Sequence, residues 1–169
     1  IGWNKNELKI SPSLRFIKEK KDFQKKIYLP INFDSAKKII NNLEFVLKNF
    51  HLDSYKVQMH PASLKSQKNI SLKEEILNLI LSNKGKKNQI SCPIFIGATG
   101  SLIEALESNC KKVMHITEKD LIEKYTSDIW ESLKVKKIKN NVYLYEIKKK
   151  GNLLKIGKKQ KNLNIFFKK

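Results

Sequence analysis

Two short stretches carry residue types whose spacing could do chemistry. One is His60-Pro61, where an imidazole closes an apolar run. The other is Gly97-Ala98-Thr99-Gly100-Ser101, with Glu104 three residues further on. Glycines let a backbone turn sharply and leave room for a ligand to approach. Hydroxylated residues at the start of a helix, together with its free N–H groups and positive dipole end, can hold an anion. The same spacing has a purely structural reading. Ser101-Leu-Ile-Glu104 matches a capping box, in which serine hydroxyl and glutamate carboxylate satisfy the orphan donors of a helix start. His60-Pro61 equally suits a strand terminator.

These stretches are positioned by a repeating pattern. Pro93–Ile96 is short, apolar and bounded by breakers, like a strand of a parallel sheet. Lys111–Ile116 is a second such run after the helix that Ser101 opens. Upstream, Lys26–Phe33 reads as a strand that Pro30 ends or bulges. Asp34-Ser35 caps a helix whose apolar positions Ala36, Ile39, Ile40, Leu43, Val46, Leu47 and Phe50 recur at threes and fours. Tyr55–His60 is a further strand. Ser71 with Glu74 predicts the start of a second helix, and Gly85 its C-cap. After Thr117-Glu118 a helix is expected to run to about Leu133. A terminal hairpin follows, formed by Asn141–Ile147 and Leu153–Ile156 around a turn at Lys148–Asn152.

The repeated βα unit predicts an α/β fold: a Rossmann-like three-layer domain with a mostly parallel sheet, right-handed crossovers and a C-terminal hairpin. The expected organisation is a linker or arm at 1–24, a Rossmann-like domain at 25–133, and a hairpin with a basic tail at 134–169. In such sheets ligands bind beyond the carboxyl ends of strands. His60-Pro61, Gly97–Ser101 and Thr117-Glu118 all lie at such ends and should converge.

The chain has 169 residues, 40% hydrophobic and 9% aromatic, enough for one domain with its own core. No run is long enough to span a membrane. The sequence starts at Ile1, which fits a C-terminal piece of a longer protein. Cys92 and Cys110 are too far apart for a CxxC metal site and read as free thiols of a reducing cytoplasm. The net charge of +19 suggests nucleic acid, yet Arg15 is the only arginine. Arginine is preferred for bidentate base and phosphate recognition, so the composition argues against a nucleic-acid partner. Lysine spread with Asn and Ile through all elements looks like compositional drift, though it could seat the protein on anionic lipid headgroups or attract anionic substrates.

Gly97-Ala-Thr-Gly100 is not a dinucleotide fingerprint. The third glycine position is Ile103, the motif comes late, and no acidic residue ends the next strand. A GxxxxGK[ST] loop is also absent. His60-Pro61, taken with Gly97-Ala-Thr-Gly-Ser101-Leu-Ile-Glu104-Ala-Leu-Glu-Ser-Asn-Cys-Lys-Lys-Val113, resembles the C-terminal, donor-binding half of GT-B fold glycosyltransferases. The likeness is to bacterial surface-polysaccharide enzymes such as Kdo, sialyl and polyglycerol-phosphate transferases, and covers roughly residues 25 to 133. Asn109 and Lys111-Lys112 depart from the family's Gly-x-Pro.

The resemblance implies roles. His60 would hydrogen-bond a donor phosphate, and Gly97, Thr99, Gly100 and Ser101 would hold it at the helix start. Glu104 would reach the ribose hydroxyls or cap the helix. Retaining members carry a glutamate eight residues earlier; Ile96 stands there, which favours inversion. The donor would be a nucleotide sugar, CMP-linked by preference and otherwise UDP- or GDP-linked, with no cofactor and no metal. The partner would be an N-terminal GT-B half that supplies the catalytic base, leaving this chain inactive alone. Its place would be the cytoplasm, at the periphery of the inner membrane. Competing classes are a non-catalytic α/β partner-binding or regulatory domain and a sugar-nucleotide epimerase of the same fold.

Overall fold

The computed structural model describes residues 22–148, except 51, 53, 83–90, 109, 129 and 131–132. The expectations for the arm before residue 22, for Gly85 and for the tail beyond 148 fall outside these residues.

Six strands form one mixed, mostly parallel sheet: β1 (Lys26–Tyr28), β2 (Lys56–Gln58), β3 (Ile94–Ile96), β4 (Lys112–Ile116), β5 (Leu133–Lys139) and β6 (Val142–Ile147). Their order is β2-β1-β3-β4-β6-β5. The first four are parallel, and the β5–β6 hairpin adds antiparallel to β4. Helices are α1 (Ala36–Asn49), α2 (Gln67–Ser82), α3 (Ser101–Glu107) and the single turn α4 (Asp120–Glu123). Among the described residues, no helix is long and apolar enough to cross a membrane.

Strand alternation divides the core. Ile27, Ile94, Ile96, Met114 and Ile116 face α1 and α2, meeting Ile39, Leu43, Leu72 and Ile76. Phe95, Val113 and the partly buried Tyr28 face the other way, toward Leu102, Ile103 and Leu106 of α3. Each fully buried isoleucine or leucine contributes roughly 1.5–3 kcal/mol, so the side with α1 and α2 holds more of the core.

The placement of α1 and α2 on one face has a topological consequence. The chain steps outward from β1 to β2, then back past β1 to β3. Two crossovers in opposite directions on one face have opposite hands. By the same reasoning α1 and α3 share a hand, and the α2 crossover is reversed. The expectation of uniformly right-handed crossovers therefore does not hold. Among the described residues no helix covers β1 and β2 on the α3 side, where Lys56 and Gln58 are exposed.

Other differences from the sequence reading have local causes. β1 ends at Tyr28, well before Phe33: the Leu29 N–H donates to the Gln58 carbonyl at 2.9 Å, and Pro30 has no N–H to continue the ladder. α2 starts at Gln67, a turn before Ser71, because Ser66 opens it, its carbonyl accepting from the N–H groups of Asn69 and Ile70 at 3.0 Å. The helix expected to Leu133 stops at Glu123. There Tyr125 is drawn inward, its N–H donating to the Tyr145 hydroxyl at 3.3 Å and its own hydroxyl to the Thr99 carbonyl at 3.0 Å. A hairpin turns at Asn140-Asn141, with Asn141 at φ 65°; the further turn expected at Lys148–Asn152, with its strand Leu153–Ile156, lies outside the described residues apart from Lys148. Asparagine tolerates that left-handed backbone, which closes a two-residue hairpin. α1 is as expected, with the Ser35 hydroxyl accepting from the Lys38 N–H at 3.3 Å.

Candidate functional site

A cleft of about 540 Å³ opens on the α3 side of the sheet, reaching the carboxyl ends of β1, β2 and β3. Its walls include Tyr28 of β1, Gln58 of β2 and His60 beyond it, and Thr99, Ser101 and Glu104 at and after the β3 turn. β1 and β3 are neighbours whose chains leave toward opposite edges, so the cleft lies at the switch in strand order. That is the usual ligand position of an open α/β sheet.

His60 serves the backbone and the cleft together. Its Nδ1 accepts from the Ala62 N–H at 3.1 Å and caps the short 3-10 turn at Pro61–Ser63. The His60 carbonyl accepts from the Ser63 N–H and Ser63 hydroxyl, each at 2.9 Å. With Nδ1 accepting, the neutral ring carries its proton on Nε2 and can donate from there.

The Gly97–Ser101 turn divides its labour differently from the expectation. Gly97 is buried, at φ 71°, with its N–H donating to the Ile116 carbonyl at 2.8 Å. It packs against Pro30 and does not line the cleft, so its glycine is required by the fold and not by a phosphate. Gly100 has an ordinary helical backbone and open space where a Cβ would stand. It too lies outside this cleft, lining a separate one of about 480 Å³ with Tyr125 and Trp130.

Gly100 is the N-cap of α3, and the expected capping box between Ser101 and Glu104 is not formed. Ser101 lies inside the helix, and its N–H donates to the Thr99 hydroxyl at 3.2 Å. Thr99, Ser101 and Glu104 do meet His60 in the cleft.

Thr117 and Glu118, also expected there, are used elsewhere. The buried Glu118 carboxylate accepts from the Asp34 N–H at 3.0 and 3.2 Å and from the Ser35 N–H at 2.7 Å, holding the start of α1. Thr117 donates to Asp120, whose other oxygen accepts from the Tyr143 hydroxyl at 2.6 Å. Partial burial raises the Asp120 pKa, but the bonds from Thr117 and Tyr143, with Lys137 and Lys124 nearby, bring it below the usual value. His115 is a core residue. Its Nε2 lies 2.8 Å from the Gly97 carbonyl oxygen, and burial pushes its pKa down to about 4.

Sequence reasoning missed Tyr28 and Gln58. Tyr28 lies flat on Phe95, with ring centres 4.5 Å apart and planes at 7°. Burial, helped by Asp22, Cys110 and Glu104, raises its pKa to about 12, so it enters the cleft as a neutral phenol. The alternation Ile27-Tyr28-Leu29 held the signal, since it sets Tyr28 opposite the main core. Burial also raises both thiols, Cys92 to about 12, which makes them poor nucleophiles. Among the described residues no group of three or more His, Cys, Asp or Glu could hold a metal ion.

Comparison with protein-family models, with curated proteins and with solved structures finds no match to the chain.

Proposed function

We propose that the chain is the nucleotide-sugar-binding half of an inverting glycosyltransferase that builds surface carbohydrate. The carrying observation is that His60 meets Thr99, Ser101 and Glu104 in one cleft at the strand-order switch, although they are far apart in sequence. In this reading the domain is Rossmann-like and three-layered. The His60 Nε2–H and the hydroxyls of Thr99 and Ser101 donate to the donor phosphate. Such fixed donors stabilise the charge that grows on a departing nucleotide. Glu104 and Gln58 take hydroxyls or base edges, and Tyr28 offers an apolar ring edge. Inversion fits Ile96, a strand residue with no exposure and no carboxylate to offer. The donor is CMP-linked by preference, UDP- or GDP-linked otherwise. The acceptor and the general base belong to an N-terminal GT-B half, and the working enzyme sits in the cytoplasm against the inner membrane.

A partner-docking reading has one observation of its own. Among the described residues, four of the six exposed large apolar side chains, Ile31, Leu64, Leu121 and Ile122, follow carboxyl ends of parallel strands. The two readings separate in a thermal-shift titration with CMP, CDP, UDP, GDP and NAD, repeated with His60→Ala and Ser101→Ala. Stabilisation by one nucleotide, lost in either variant, is expected and identifies the base. No shift with any of them rules out nucleotide binding by this domain and leaves docking as its function.

A further inference from the structure

We propose a second site, at the amino ends of β1 and β2, that binds a phosphate group. It is independent of the nucleotide reading. A cleft of about 450 Å³ there is lined by Lys25, Lys26 and Lys56, with Ser54 and Ser91 as hydroxyl donors and Asp22 as the one carboxylate. Lysines are common in this chain, but three features set these apart.

Lys26 and Lys56 are direct partners in the parallel pairing of β1 with β2, so both side chains leave the same face of the sheet. Like charges directly opposite each other destabilise a sheet. Elsewhere the fold avoids this: Lys112 and Lys134 both reach Glu146, at 3.1 and 3.7 Å, on the strand between them. Here, among the described residues, no carboxylate bridges the two lysines as Glu146 does. Lys26 turns its ammonium to the Asp22 carbonyl oxygen at 2.5 Å, while Lys25 and Lys56 have no ion pair among the described residues.

The second feature is the backbone. Lys25 (φ 49°) and Ser54 (φ 67°) are left-handed, and both line this cleft. The third described non-glycine residue of that kind, Asn141, is the hairpin turn. Lysine and serine are not residues that favour this conformation, and strain of this sort gathers where side chains must be aimed. The third is position. The cleft shares Asp22 and Lys26 with the candidate donor cleft, so the two adjoin on the uncovered side of β1 and β2. Ammonium groups around a concave surface, with hydroxyls between them, suit a compact multivalent anion.

The test is isothermal calorimetry with inorganic phosphate at low ionic strength, alongside sedimentation with phosphatidylcholine vesicles with and without phosphatidic acid. Wild type is compared with Lys25→Gln/Lys56→Gln, with Lys37→Gln/Lys136→Gln as a charge-matched control on other surfaces, and with Ser101→Ala. Thermal unfolding checks that each variant is folded. Inorganic phosphate should bind, and the first pair should weaken it about tenfold or more, with the control and Ser101→Ala within about twofold. Binding only to phosphatidic acid vesicles, lost in the same pair, would assign the site to a lipid phosphate. Absence of binding to both probes, or equal loss in the control pair or in Ser101→Ala, overturns the site. Neither result bears on nucleotide binding, which His60→Ala reports separately.

Discussion

A Cβ added to Gly97 would stand 2.9 Å from the Cβ of Pro30, closer than such atoms approach without displacement. The two residues lock the turn after β1 against the turn after β3, and so hold two walls of the cleft in register. Gly97→Ala adds both the left-handed strain of φ 71° and this overlap. We expect it to destabilise the fold by about 2–4 kcal/mol, read as a lower urea midpoint. Gly100→Ala, with open space and a helical backbone, should stay within about 1 kcal/mol. Equal losses in the two variants would contradict this division.

His115 makes the fold sensitive to mild acid. Its folded pKa, pushed down to about 4 by burial, lies below the ordinary 6.5. Between those values the unfolded chain binds the proton and the native state does not. Stability is therefore full above about 6.5 and falls as the pH drops toward 4, by up to about 3 kcal/mol. His115→Gln should flatten the urea midpoint across that window. The carboxylates with lowered pKa, Asp120 and Glu146 among them, act further to the acid side. An unchanged slope in His115→Gln would place the acid sensitivity elsewhere.

Glu118 links the end of β4 to the start of α1 through the amides of Asp34 and Ser35. Removing the carboxylate leaves part-buried N–H groups without their acceptor at the positive end of a helix. Glu118→Ala should cost about 2–3 kcal/mol and Glu118→Gln, which keeps one acceptor oxygen, roughly half of that. Hydrogen exchange should show the first turn of α1 opening earlier in both. Exchange unchanged in Glu118→Ala would mean that Ser35 alone caps the helix.

The parallel strands and α1 were legible because short apolar runs, breakers and a three-four periodicity occur together there. So was the meeting of His60 with Thr99 and Ser101, since strand ends of one parallel sheet share an edge. What was not legible depended on partners distant in sequence. Glu118 has the same local setting as a cleft residue, and only the packing of α1 assigns it to Asp34 and Ser35. Tyr125 continues a helical pattern, but its hydrogen bonds to Tyr145 and Thr99 outweigh propensity. The β5–β6 turn was missed because Asn140-Asn141 carries neither glycine nor proline.

The sheet has a local half and a distant half, and this sets an order of assembly. β5 and β6 meet across a two-residue turn, whereas β1 gains β2 only after α1 and gains β3 only after α2. Short loops close at lower entropic cost and sooner than long ones. The hairpin end of the sheet is thus expected to form early, and the β2-β1-β3 end last. The candidate donor cleft exists only once β1 has neighbours on both sides. Any molecule bound there holds closed the part of the chain that is slowest to arrive, and so lends the whole sheet a stability that local contacts alone do not supply.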